Sequence, residues 1–137
     1  MHKIAVIVTQ GSLNHLIQVV TLLMSATVAN AAVRVLFRDE AVLSVTKAGA
    51  QRLQFSELLR DQAAAITARL KQHEMDNLSG MLQTVKGHGD VRLAVCSASM
   101  ALYGVTKDEL LPEIDDVQGL TAFFIDEVGT ADRVLTF

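Results

Sequence analysis

Two short β-branched runs, Lys3 to Thr9 and Ala32 to Phe37, bracket one amphipathic stretch, and this triplet constrains the fold more than any other feature of the chain. The first run ends at Gln10-Gly11, where a turn is expected. Ser12 stands where a helix cap would. Leu13, Leu16, Ile17, Val20, Leu23, Met24 and Val28 then recur at steps of three and four, which is an apolar stripe meant for a sheet. Asn30 is a helix stop. Strand, turn, helix and strand in so short a span predict a βαβ unit with parallel strands and a right-handed crossover.

The same alternation continues. Ala41 to Thr46 predicts a short helix broken by Gly49. Ser56 opens a polar-faced helix with Leu59, Ala63, Ile66 and Leu70 on one side, and Glu74 to Lys86 carries Leu78, Met81, Leu82 and Val85. Asn77 and Gly80 weaken the middle, so residues 56–86 read equally as one bent helix or as two. Gly87 to Asp90 reads as a turn. Val91 to Val95 is a third strand, Ser97 to Tyr103 a helix closed by Gly104. Thr106 and Glu109 form a capping box for a short helix to Leu111, with Pro112 at its exit. Asp115 to Val117 reads as a short strand or connection. Gly119 to Val128 predicts a last helix with Leu120, Phe123, Phe124 and Val128 inward, and Arg133 to Phe137 a final strand. The expected fold class is α/β: a small three-layer α/β/α sandwich on a mainly parallel sheet of about five strands, in one domain spanning 1–137.

Composition narrows the function classes. Half of the 137 residues are apolar and mean hydropathy is +0.33, which suits a sheet covered on both faces or a subunit interface. A net charge of −3 argues against an electrostatic nucleic-acid binder. No run approaches the roughly 20 apolar residues of a membrane span. The first residues lack the layout of a signal peptide, and one cysteine makes no internal disulfide, so a reducing cytoplasm is the expected location.

That cysteine, Cys96, sits where the third strand becomes a helix. Free helix amides at such a junction favour the thiolate, and the carboxyl ends of strands are where open α/β sheets gather ligand chemistry. Ser97, Ala98 and Ser99 are small neighbours that would leave the sulfur accessible. The competing reading is an inert, buried, hydrophobic thiol. Arg38, at the end of the second strand, could stabilise a sulfur anion or be a solvated loop residue. His15 is at the correct end of the sheet and would approach Cys96 if the first and third strands were neighbours. His88 lies at the opposite end. Gly11, in the first strand-to-helix turn, is where such folds place anions, yet neither the GxGxxG fingerprint nor a P-loop lysine is present. Asp115-Asp116 and Asp126-Glu127 lack His or Cys companions, so neither a metal nor a cofactor site is expected. One thiolate acting alone can carry a persulfide, be oxidised to sulfenic acid or form a mixed disulfide.

The run from Cys96 to Val105, with Lys107 to Leu111 and Gly119 to Phe123, resembles the DsrE/DsrF-like family. The closest likeness is to a branch with Cys-x-x-Ser-Met-x-x-x-Gly followed by Glu-Leu and a Gly opening the last helix. The chain departs from that branch at Phe37-Arg38-Asp39-Glu40, where an aromatic continuation is usual, and at Ser97-Ala98. The resemblance implies a three-layer α/β/α fold, homotrimers or homohexamers, and sulfur relay, with Cys96 as persulfide acceptor between a protein donor and a protein acceptor. A non-catalytic scaffold of the same fold is the alternative. Peroxide reduction ranks last, because the Thr-x-x-Cys arrangement of peroxiredoxins is missing.

Overall fold

The computed structural model describes residues 2–137. Five strands form one sheet in the order β4-β3-β2-β1-β5, with β1 Lys3–Val8, β2 Ala32–Phe37, β3 Val91–Cys96, β4 Asp116–Gln118 and β5 Arg133–Thr136. Every pairing is parallel, so the sheet is wholly and not just mainly parallel. The β-branched runs follow from this. Strands at the middle of a covered parallel sheet bury both faces, and only apolar side chains tolerate that.

Alternate residues serve two different layers. Val6, Val35, Leu93 and their neighbours at i±2 face α1 (Leu13–Val28) and α4 (Leu78–His88), and these side chains make up most of the core. Ala5, Leu36, Ala94 and Cys96 face the other way, against Phe123 of α6 (Leu120–Asp126). The second layer is therefore much thinner than the first. Between β2 and β3 the chain also forms α2 (Ala41–Ser44) and α3 (Ala63–Gln72), and α5 (Ser97–Tyr103) follows β3.

The stop signals act as their local chemistry dictates. Asn30 takes φ 60°. Its N–H reaches the Thr27 carbonyl at 2.9 Å and the Ala31 N–H reaches Ala26 at 3.0 Å, a Schellman closure of α1. Gly104 takes φ 67° behind α5. Residues 56–86 form two helices, because Glu74 turns left-handed at φ 57° and Asn77 caps α4 by accepting the Gly80 N–H at 3.1 Å. Asn77 thus starts a helix where a weak point was expected.

Other expectations are corrected. The helix from Ala41 ends at Ser44, because Thr46 pairs with Leu110 in an antiparallel bridge. Gly49 opens a short 3-10 turn. The segment after Ser56 begins as a 3-10 turn, 57–62, and only then becomes α3. Gly87 and His88 are the last turn of α4 and not yet a loop. The capping box of Thr106 and Glu109 is present, on a 3-10 turn ending at Glu109. Val28 and Phe124, expected inward, are 75% and 60% exposed. Val28 is the last residue of α1, and α6 turns a single side chain, Phe123, fully inward.

Carboxylates tie the amino ends of the strands together. Asp132 accepts the N–H groups of His2 at 2.8 Å and Lys3 at 2.9 Å, and Arg34 grips Asp90 with two nitrogens at 3.0 and 3.1 Å. The Lys3 amide foremost holds Asp132 below the usual carboxyl value of 3.8, and the Arg34 hydrogen bond does so for Asp90. Each contributes stability that is present above that value and lost as pH falls through the lowered one. The acid limb of unfolding is thus expected below about pH 4, and Asp132→Ala should make it shallower. An acid limb identical in the variant would refute the assignment.

Candidate functional site

Cys96 ends β3 and is the N-cap residue of α5. Its register partner on β4 is Gln118. On the other side Phe37 pairs with Val95, so Arg38 follows in the row beside Cys96. The Arg38 N–H continues the ladder to the Val8 carbonyl at 2.9 Å. Asp39 then turns left-handed at φ 52°, and its N–H donates to Ser99 Oγ at 2.9 Å. Strand pairing brings Arg38 to the thiol, and the turn after it is fastened to the helix that the thiol caps.

The sulfur is electrostatically favoured and sterically closed. Burial pushes the thiol up. The N–H and hydroxyl of Ser99, the N–H of Ala98 and the Arg38 charge together outweigh it, so the net direction is below the ordinary thiol value. Ser99 is buried, and its oxygen accepts from the Asp39 N–H. No capping hydrogen bond to the thiol is formed in this conformation. Arg38 Nε is buried without a partner. Yet Cys96 itself is only 1% exposed. The expectation that its small neighbours leave it accessible is overturned: Ser97 and Ala98 are exposed, but the sulfur points to the sheet face that Phe123 covers.

His15 and Gly11 belong elsewhere. β2 lies between β1 and β3, and α1 packs on the face opposite the sulfur, so His15 does not approach Cys96. It lines a separate cleft of about 700 Å³ with Gly11, Ser12, Glu40, Arg52 and Tyr103. Ser12 occupies the N-cap position of α1 without capping it, because its hydroxyl is bonded to His15 Nδ1. Gly11 is needed there, since a Cβ would sit 2.5 Å from Ser44 Oγ and 2.9 Å from the Glu40 carbonyl oxygen.

Two features had no sequence signature. One is that Phe123 packs in the same small cluster as Cys96. Its inward spacing was visible, but its partner was not. The other is the group around Glu127, whose Oε2 is 2.7 Å from Lys3 Nζ and 3.5 Å from Arg34 Nε. These residues come from three distant parts of the chain. Among the described residues no helix is long and apolar enough to cross a membrane.

A family model, the DsrE/DsrF-like family, matches residues 2–137. No curated protein matches the sequence. Among solved structures, the chain is similar to a protein of unknown function, MTH1491, from Methanobacterium thermoautotrophicum. The TM-score is 0.67 at 14% identity, over 98% of this chain and 99% of that one. At that identity the likeness speaks for the fold.

Proposed function

The chain belongs to the DsrE/DsrF-like family, and from that premise we propose that it is a sulfur carrier, holding sulfane sulfur on Cys96 as a persulfide. The Cys96 thiolate attacks the terminal sulfur of a donor persulfide. The new S–S bond forms as the donor's S–S bond breaks, and the donor leaves as a thiolate. An acceptor thiolate then attacks the outer sulfur of the Cys96 persulfide and regenerates the Cys96 thiolate. Sulfur moves as a neutral atom and no outside oxidant is consumed.

The observation that carries this reading is the meeting of Cys96, Ser99 and Arg38 at the carboxyl end of adjacent strands. A buried donor with no acceptor costs about 1–3 kcal/mol, and Arg38 Nε is one. The Arg38 charge favours an anion on the sulfur, and a second sulfur that reached Nε would supply the acceptor it lacks. Ser97 is a bystander at the entrance in this reading. Protein donor and acceptor, and a homotrimer or homohexamer, belong to the same proposal; exposed Leu58 and Leu102 support self-association.

The second reading, a scaffold with an inert thiol, is favoured by the 1% exposure of Cys96. Incubation with a low-molecular-weight persulfide separates the two. Mass spectrometry should find about 32 daltons added to Cys96, removable by reductant and absent from Cys96→Ser. No added sulfur, where a reference carrier loads fully, would leave the scaffold.

A further inference from the structure

We propose that α6 is a gate over Cys96, plugged by Phe123 and latched by Glu127, and that its local opening sets the rate at which the thiol meets any reagent. The purpose of such a gate rests on the sulfur-carrier reading; its geometry does not.

Cys96 and Phe123 are each 1% exposed and pack in one small cluster with Ala5, Leu36 and Ala94. Covering the opposite face is α1, with 16 residues and a full buried stripe. Covering the sulfur is α6, with 7 residues, of which only Phe123 is fully buried. Phe124 and Ile125 beside it are 60% and 66% exposed. Few buried apolar contacts mark the elements that open first.

The helix starts at Gly119, whose Cβ position lies 3.8 Å from Ser97 Oγ, at the rim where the thiol sits. It ends at the far side of the sheet. There Glu127 meets Lys3 of β1 and Arg34 of β2, and Lys3 Nζ also donates to Thr130 Oγ1 at 2.6 Å. Both cations stand on rigid central strands. The latch therefore fastens the C-terminal end of a weakly buried helix to the sheet just before the chain enters β5, and the plug packs in the same cluster as the sulfur. Opening needs the loss of the Phe123 contact, of the partly buried packing of Leu120 and Val128 on the same cluster, and of one cluster of ion pairs, with the main core intact.

The test is the native rate of Cys96 alkylation by iodoacetamide in the whole protein, for wild type, Glu127→Gln and Phe123→Leu, each at several urea concentrations. Glu127→Gln should raise the rate about tenfold, as expected when a partly buried latch is lost and a local opening becomes more frequent. The urea slope of the rate should be well below that of global unfolding followed by circular dichroism, since a local opening exposes little surface. Phe123→Leu should label faster by more than its measured loss of global stability accounts for, which separates a lost plug from a failure to fold. Rates unchanged in both variants, or a urea slope equal to the global one, overturn the gate. Loading from a low-molecular-weight persulfide on the same samples separates the two proposals. Faster labelling with no persulfide formed keeps the gate and removes the carrier. Loading that ignores both variants keeps the carrier and removes the gate.

Discussion

Phe37→Ala is expected to destabilise the protein by about 3–5 kcal/mol, the range for emptying a buried aromatic site. Phe37 ends β2, is 1% exposed and heads the fully buried side chains by volume. Its register neighbours are Val8 on β1 and Val95 on β3, so strands hold it on both sides. The backbone there cannot close on the gap, and cavity cost depends on how far a site collapses. Against a typical domain stability of about 5–15 kcal/mol, the loss is a large fraction. Urea unfolding should show a lower midpoint with an unchanged slope. Phe37→Leu, which keeps most of the volume, should cost less than Phe37→Ala by at least about 1.5 kcal/mol. A loss below about 1 kcal/mol for the alanine variant would mean that this part of the core repacks freely.

Native Cys96 is expected to react with a small alkylating agent on the order of a hundredfold more slowly than the unfolded chain at the same pH, because reaction waits on opening. Its pH midpoint should nonetheless lie below that of the unfolded thiol, in the direction set by Ser99, Ala98 and Arg38 against burial. The two effects are separable, since closure scales the rate and ionisation moves its midpoint. A lowered thiol pKa in the fold also links to stability. The contribution is fully present above the unfolded thiol's value and is lost as pH falls through the folded one. Arg38→Met should move the labelling midpoint up towards the unfolded thiol and reduce that alkaline contribution. A wild-type midpoint at or above the unfolded thiol's would show that burial wins, and Cys96 would then be a core residue in a scaffold.

The cleft of Gly11, Ser12 and His15 has a bearing on how such sites are found. Gly11 and His15 read, like Cys96, as residues at the carboxyl end of the sheet, and His15 as near the thiol only if the first and third strands were neighbours. The sheet splits them by face: α1 stands on one side and the sulfur points to the other. Sharing an end of a sheet is a weaker condition than sharing a site.

By itself the sequence determined what depends on neighbours a few residues apart. The β-branched runs became β1, β2 and β3, the three- and four-residue steps became α1 and α4, and Asn30, Gly104 and the Thr106–Glu109 box closed or opened their turns. Each is set by local backbone sterics, by a cap, or by a period of hydrophobic residues. The position of Cys96 at a strand-to-helix junction was legible for the same reason. Only the tertiary structure decided that β2 separates β1 from β3, which removes His15 from the thiol and seats Arg38 beside it. Only the return of the chain from β4 to β5 laid Phe123 on the sulfur's face of the sheet and brought Glu127 to Lys3 and Arg34. Strand order and choice of face are settled by contacts between segments up to about the whole chain apart, and no local spacing encodes which of them will meet.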